Sequence, residues 1–285
     1  METLARIYQI NSKTSETDHT VVSKLKPDDL CFYRFLGGNS SETEELINQL
    51  YALKEKNILL IGVFRFPFRF EGKKRFQTAT NQYFRMKELC DAVIYFNSDR
   101  LLETIDISTT IHDAHNTFNT IEDLTIEGLR EMIEMTGDIN IDFHDIETFI
   151  KAEKGPLFVH TVERESFDEP LKDLISTPYL PEDFTDGKQL IINIGYTHDV
   201  DMEAFRQINL RLHDLFSKAD IFKLGSYFMD EPGQHFKISL VVNGINDPVK
   251  APDNFKKLSK HNGLLRKWQH LTEKAKSRVQ IKNLP

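Results

Sequence analysis

The pattern of hydrophobic and polar positions divides the first half of the chain into alternating strands and helices. Residues 58–63 form a nearly continuous apolar run, which is typical of a parallel strand buried on both faces. Leu46, Leu50 and Leu53 recur at helical spacing and predict a helix over residues 42–56. The other predicted elements are strands at 4–10, 30–36 and 92–96 and a helix at 73–89. This order of elements predicts a doubly wound α/β layer.

A long amphipathic segment occupies the middle of the chain. Apolar residues recur at helical spacing over residues 110–136, and Gly137 follows them. This pattern predicts one continuous helix, beyond which strands at 189–194 and 235–242 and a helix at 202–216 indicate a second α/β layer. The predicted domains are a nucleotide-type domain at 1–108, a central helix at 109–136, a second domain at 137–246 and a tail at 247–285.

Composition and charge narrow the class of protein. The 285 residues carry a net charge of −8, but residues 248–285 contain ten Lys and Arg against two Asp and Glu. The rest of the chain is therefore strongly acidic, which argues against nucleic-acid binding. No apolar run reaches the length of a bilayer span. Cys31 and Cys90 lie in apolar surroundings and indicate buried thiols of a reducing cytoplasm, and no Cys/His spacing suggests a zinc site.

A polar cluster directly follows the central helix pattern. Asn140, Asp142 and Asp145 place one amide and two carboxylates at spacings of two and three residues. Such groups can order a water molecule or hold a cation. They can equally cap the next helix by accepting hydrogen bonds from its first N–H groups. Spacing alone favours the cap.

Four segments in order resemble the FtsZ family of bacterial tubulin-like division GTPases. The first, residues 63–75, resembles a Thr-x-Pro-Phe-x-Phe-Glu-Gly-x-x-Arg turn with Arg65 at the threonine position. Residues 98–102 are similar to the turn after the next strand, and residues 175–180 to a Ser-Ser-Pro-Leu-Leu segment of the second domain. Residues 137–145 resemble the synergy loop, with its amide and both carboxylates intact. The resemblance covers about residues 28–245 and implies an FtsZ/tubulin-like α/β fold, shortened at its N-terminus.

The resemblance also implies a GTP site, from which this chain departs. The family holds phosphates on two glycine-rich loops whose N–H groups cradle anions. Residues 11–16, at the first loop, contain no glycine, and the second loop keeps only Gly37 and Gly38, with Glu42 adding a like charge. We therefore expect no bound cofactor and a degraded GTP pocket.

The base and ribose contacts of the family are also largely lost. Asn119 matches the guanine-reading Asn, but Thr120 stands at the position of its Asp partner and His115 replaces the aromatic ring. A single hydroxyl reproduces poorly the two bonds that a carboxylate accepts from guanine. Ser98 replaces the ribose-contacting Asn. Glu71 and Arg75 remain, either as remnants of the nucleotide site or as a surface ion pair.

These matches and departures together predict a function. In the family, one subunit binds GTP and the synergy loop of the next activates the attacking water. A chain that keeps only the loop is expected to be a pseudo-GTPase, hydrolysing GTP only together with a nucleotide-binding subunit. The leading interpretation is a cytoplasmic, non-catalytic binder, cap or regulator of an FtsZ or other tubulin-like filament, with Asn140, Asp142 and Asp145 exposed at one end.

Two alternatives remain open at the level of sequence. The chain can be a self-associating scaffold that needs no nucleotide, or an enzyme that uses Asp142 and Asp145 with a divalent metal. Hard cations usually draw several carboxylates from different elements, which disfavours the enzyme. In the tail, apolar residues at helical spacing and basic residues over 264–282 predict an amphipathic helix, which either lies on an anionic membrane surface or packs on the acidic body.

Overall fold

The computed structural model describes residues 6–12, 21–153, 155–165, 168–253 and 255. The chain divides into two units, residues 1–251 and residues 252–285. The basic amphipathic segment predicted at 264–282 lies outside the described residues. In the described part, the strands are β1 (Ile7–Asn11), β2 (Leu30–Leu36), β3 (Leu59–Phe66), β4 (Ala92–Asn97), β5 (Pro156–Arg164), β6 (Gln189–Tyr196), β7 (Ile221–Phe228) and β8 (Phe236–Asn243).

The helices of the described part alternate with these strands as the sequence predicts for an α/β protein. They are α1 (Thr43–Lys54), α2 (Lys73–Leu89), α3 (Ser98–Leu102), α4 (Ile111–Glu134), α5 (Phe143–Ala152), α6 (Asp168–Ser176) and α7 (Met202–Leu215). Short 3₁₀ turns occupy Ser40–Glu42, Arg69–Glu71 and Phe184–Asp186.

All eight strands form one sheet in the order β1-β2-β3-β4-β5-β8-β6-β7. Every neighbouring pair is parallel except those that involve β8, which runs antiparallel to both β5 and β6. The carboxyl ends of β1–β7 therefore share one edge of the sheet. Because β4 pairs with β5, the two halves of the chain share this sheet. The domain boundaries expected from the sequence stay a prediction.

Helices cover both faces of the sheet. On one face, Phe118, Ile126 and Leu129 of α4 pack with α5 and with alternate residues of the central strands. On the other face, α7 lies over β6 and β8 in a second apolar cluster, and α2 contacts β3 through the rings of Phe64 and Tyr83. Such burial on both sides explains why the strands read as nearly continuous apolar runs.

The central helix is confirmed as one continuous element of 24 residues. Thr110 caps its N-terminus by accepting a hydrogen bond from the backbone N–H of Asp113. The helix ends at Glu134, two residues before the predicted end, and Met135 is already extended. Gly137 is therefore not its terminal cap. Instead it packs against the backbone of β7, where a Cβ would overlap with the carbonyl oxygen of Ser226.

Two predictions from composition agree with the described part of the chain. Cys31 and Cys90 are not joined by a disulfide, and both are buried. Within the described ranges, no helix combines the length and the apolar character that crossing a bilayer requires.

Candidate functional site

A cleft of about 880 Å³ opens at the carboxyl ends of β2, β3 and β4, beside the first half of α4. It contains several of the residues predicted from the resemblance, namely Glu71, Arg75, Ser98 and His115. A smaller polar cavity of about 350 Å³ adjoins it and contains Asn119. The structure therefore brings most of the predicted nucleotide-site remnants together. The acidic loop, residues 137–145, follows the other end of α4, a helix about 36 Å long at 1.5 Å per residue.

In the glycine loop, residues 37–42, four of the six backbone N–H groups donate to partners within the protein. The N–H of Gly38 donates to Oε1 of Gln82 at 2.7 Å, and the N–H of Gly37 donates to the carbonyl of Arg65 at 2.9 Å. The N–H groups of Ser41 and Glu42 both donate to Asn39. These four donors are thus already bonded and not free to cradle a phosphate.

Gln82 of α2 is the residue that fixes this loop, and sequence reasoning missed it. It is fully buried, and its amide nitrogen donates to the carbonyl of Asn39 at 2.7 Å and to Oγ1 of Thr43 at 2.8 Å. A buried amide with all these bonds made is rigid and costly to displace. The only signal in the sequence was a polar residue on the apolar side of a predicted helix.

Arg75 lies directly over Gly38. A Cβ on Gly38 would sit 2.6 Å from the Arg75 Cγ, and Gly38 has a positive φ of 114° that side chains rarely adopt. The Arg75 Nε forms an ion pair with Glu71 at 2.9 Å, across one turn of chain. Glu71 also accepts a hydrogen bond from the N–H of Phe68. Of the two roles that the sequence left open for Glu71 and Arg75, the structure contains the ion pair.

The walls of the cleft are mainly apolar. They are formed by Phe68, Phe70, Leu102, Ile105, Ile107 and Phe118. Carboxylates outnumber guanidiniums around it, with Glu71, Asp99, Glu103 and Asp106 against Arg65 and Arg75. Hydrogen bonds from the Ser108 hydroxyl and N–H lower the pKa of Asp106, so this group is ionised at neutral pH. A polyanion would meet repulsion here.

A buried ion cluster beneath the polar cavity was not predicted from the sequence. Glu122 of α4 is only 4% exposed and forms ion pairs with Arg34 of β2 and Arg65 of β3. Arg34 also pairs with the exposed Asp123, and Arg65 donates to the side-chain carbonyl of Asn119 at 3.1 Å. Asn119, expected as a guanine-reading group, is therefore engaged with Arg65. The indication of this cluster in the sequence was one arginine within each of two otherwise apolar strands.

The acidic loop is held in place by its own polar groups. Asp142 caps α5 and forms a capping box with Asp145, whose N–H donates to the Asp142 carboxylate at 2.8 Å. Asn140 accepts a hydrogen bond from the N–H of Gly137 at 2.6 Å. The cap interpretation of this cluster is confirmed for Asp142 and Asp145, whereas Asn140 does not cap the helix. It does not exclude an interaction role, because Asn140 and Asp142 are exposed.

Asp145 differs from the expectation that all three polar groups are exposed. It is half-buried and forms an ion pair with Lys223 of β7. Backbone hydrogen bonds between Ile139 and Ser226 attach the same loop to β7. Asp138 accepts a hydrogen bond from the Tyr196 hydroxyl, which raises the pKa of that tyrosine. The loop is thus anchored at several points, with Asp142 presented to solvent.

Comparison with known sequences supports the resemblance. The FtsZ of Buchnera aphidicola subsp. Baizongia pistaciae is 26% identical over 244 residues, which are 83% of this chain. The FtsZ of Methanothermobacter thermautotrophicus is 26% identical over 239 residues. The chain spans 63% and 61% of the lengths of these two relatives. No protein-family model matches the chain.

Solved structures share the fold. An empty FtsZ dimer from M. jannaschii superposes with a TM-score of 0.69 at 20% identity, over 86% of this chain and 72% of that one. GDP-form protofilaments of TubZ from Bacillus thuringiensis serovar israelensis give a TM-score of 0.61 at 11% identity, over 94% and 74%. Sequence and fold together make this chain a divergent relative of the cell division protein FtsZ, with an FtsZ-like fold.

Proposed function

We propose that this protein is a non-catalytic FtsZ-like subunit that has lost GTP binding and docks through its acidic loop on a nucleotide-bearing FtsZ subunit. The observation that carries the proposal is the occupation of the glycine-loop N–H groups by Gln82 and other internal partners. A phosphate would have to break these bonds, including those of the fully buried Gln82. A buried donor or acceptor left unpaired costs about 1–3 kcal/mol.

The docking half of the proposal rests on the position of the acidic loop. Asn140 and Asp142 are exposed beyond the end of α4, and the glycine loop lies near the other end. Two different surfaces at opposite ends form a head-to-tail contact, which builds filaments when it does not close. A chain without a functional nucleotide surface ends such a filament or modifies its subunit turnover.

Self-assembly without nucleotide is the second candidate, and exposed apolar groups favour it. Met135 and Ile139 are exposed beside the acidic loop, while Phe70 and Ile107 are exposed at the cleft. Contact between these two ends of neighbouring copies would bury apolar surface. The contact of residues 264–282 with a membrane surface rests on sequence alone and stays a prediction.

The isolated protein is expected to bind neither GTP nor GDP appreciably. Internal hydrogen bonds of the glycine loop and the acidic rim of the cleft both oppose a polyphosphate. Calorimetric titration measures this directly, with an FtsZ that binds GTP as the positive control. Binding at micromolar affinity, equivalent to about −8 kcal/mol, would contradict the loss of the pocket.

The Asp142→Asn variant is expected to lose its effect on an FtsZ partner while keeping its stability. Asparagine caps a helix about as well as aspartate, so the change removes the charge and keeps the cap. FtsZ from the same cell is incubated with GTP and either the wild type or the variant, and GTP turnover, filament length and co-sedimentation are measured. The wild type should co-sediment and change turnover, and the variant should do so several-fold less.

Asp201→Asn is a matched control, because Asp201 is an exposed cap of α7 that accepts from the N–H of Ala204 at 2.7 Å. It should behave as the wild type. Equal co-sedimentation of all three proteins would refute a role for the acidic loop. Pelleting of this protein without FtsZ or nucleotide would favour the self-assembling scaffold instead. Alanine at Asp142 is less informative, since it also removes the cap at a cost of about 1 kcal/mol.

A further inference from the structure

Three metal-ligating side chains that belong neither to the cleft nor to the acidic loop converge beside β5 and β8. Glu163, Glu231 and His235 each offer one donor atom, and these atoms all lie within 4.8 Å of one another. Glu163 is the next-to-last residue of β5, and the other two belong to the connection between β7 and β8. Because Glu163 comes from a separate strand, no local spacing in the sequence indicates this cluster.

The strand register explains why these side chains meet. Glu163 lies opposite Lys237 in the antiparallel pair of β5 and β8. His235 precedes Lys237 by two residues, so it points to the same face as Glu163 and is its diagonal neighbour. Glu231 belongs to the connection that precedes His235, and its carboxylate lies within 4.8 Å of the other two donor atoms.

The backbone at His235 is fixed by a buried threonine. Thr197 is fully buried, and its hydroxyl oxygen accepts a hydrogen bond from the N–H of His235 at 2.9 Å. The same hydroxyl donates to the carbonyl of Gly233 at 2.6 Å, and the N–H of Thr197 donates to the carbonyl of His235 at 3.3 Å. Gly233 has a φ of 85°, which permits the turn. The backbone of His235, from which the imidazole extends, is thereby fixed before any ion binds.

Within the described residues, no side-chain ion pair neutralises the two carboxylates of this cluster. The guanidinium of Arg164 donates to the backbone carbonyl of Glu163 at 2.6 Å and not to its carboxylate. The one nearby lysine, Lys237, forms its ion pair with Glu131 of α4 at 2.6 Å. No lysine or arginine of the described ranges forms an ion pair with the carboxylate of Glu163 or Glu231. Two carboxylates at this separation repel each other, and a cation between them removes the repulsion.

We propose that Glu163, Glu231 and His235 bind one divalent transition-metal ion of the zinc class. Zinc takes His nitrogen and carboxylate oxygen at about 2.0–2.2 Å, which side-chain rotation achieves from the observed separation. Three protein donors leave a fourth position open to water. An imidazole donor selects zinc-like ions over Mg²⁺ and Ca²⁺, which require more oxygen ligands. The bound ion links the end of β5 to the β7–β8 connection.

Calorimetric titration of the full chain without an affinity tag tests the site, with ZnCl₂ and MgCl₂ as separate ligands. At micromolar affinity, the wild type should bind one more Zn²⁺ per chain than the His235→Gln or Glu163→Gln variant binds. The wild type should bind Mg²⁺ at least 100-fold more weakly than it binds Zn²⁺. Comparing the number of Zn²⁺ ions bound by the wild type and by each variant distinguishes this site from Zn²⁺ binding at other histidines. His144→Gln is the matched control, because His144 is an exposed histidine beside Glu147, and it should retain the wild-type stoichiometry.

A second readout reports the coordination itself. Co²⁺ in the wild-type site should give visible absorption of the intensity typical of four-coordinate cobalt, and this absorption should be lost in Glu231→Gln, a change at an exposed residue. Equal Zn²⁺ stoichiometry in the wild type and all three ligand variants would overturn the proposal, as would Mg²⁺ binding as tight as Zn²⁺ binding. These residues lie outside the acidic loop and the glycine loop, so the outcome is independent of the proposed filament role.

Discussion

Replacement of Glu122 by alanine is expected to lower the free energy of unfolding by about 3–5 kcal/mol, the usual cost of breaking a buried ion pair. Glu122 is the carboxylate that lies between the guanidiniums of Arg34 and Arg65. Its removal leaves two nearly buried positive charges facing each other beneath the polar cavity. Urea denaturation monitored by circular dichroism measures the change.

The adjacent Asp123 provides the control within the same cluster. It also pairs with Arg34, but its side chain is 58% exposed against 6% for Glu122. Exposed ion pairs contribute about 0–1 kcal/mol, so Asp123→Ala should have little effect. Similar losses for the two alanine variants would show that burial does not decide the strength of this cluster. Recovery of stability on adding Arg34→Leu to Glu122→Ala would locate the cost in the unpaired guanidinium.

Elements with a strong local pattern were predictable from the sequence. The predicted bounds of β2 and α2 match the structure, because each combines a sustained apolar pattern with clear terminal signals. For α2, Gly72 precedes the first residue, and Cys90 and Asp91 separate the last residue from β4. The α/β class and the continuity of α4 followed from the same periodicities.

Elements whose pattern depends on tertiary neighbours were not predicted individually. The strand β7 lies at the edge of the sheet and is only partly buried, so its residues lack a continuous apolar run. The helix α5 is short, and its capping residues drew attention as candidate ligands instead. Residues 98–102, interpreted as a turn, form the short helix α3.

The candidate site shows where sequence reasoning stops. Loss of glycines at residues 37–42 was visible in the sequence. The partner of the Gly38 N–H group was not, since Gln82 is more than 40 residues away. Arg34 and Glu122 are likewise 88 residues apart. Polar pairs between residues that are far apart in the sequence produce no local sequence pattern, so only the three-dimensional structure reveals them.

The Gly137→Ala variant is expected to destabilise the protein by about 3 kcal/mol, the upper end of the usual cost of overpacking. A Cβ at this position would overlap with the carbonyl oxygen of Ser226 and lie 2.9 Å from the Cα of Tyr227. Backbone cannot rotate away as a side chain can, so either β7 or the acidic loop has to move. Moving the loop would also break the backbone hydrogen bonds between Ile139 and Ser226. Thermal or urea unfolding measures the stability change, and the FtsZ co-sedimentation assay reports the displacement of the loop.

Gly155→Ala separates this steric effect from the general effect of replacing glycine. The nearest atom to a Cβ at Gly155 is the Asn243 Oδ1 at 3.9 Å, which is ordinary contact. This variant should keep its stability or gain about 0.4–1 kcal/mol from the reduced freedom of the unfolded chain. If Gly137→Ala were equally harmless, the close approach between the acidic loop and β7 would not be a constraint on the fold. A loss confined to Gly137→Ala, accompanied by weaker co-sedimentation, would instead establish that the backbone of β7 positions the loop, and that the glycine after α4 serves this contact rather than the end of the helix.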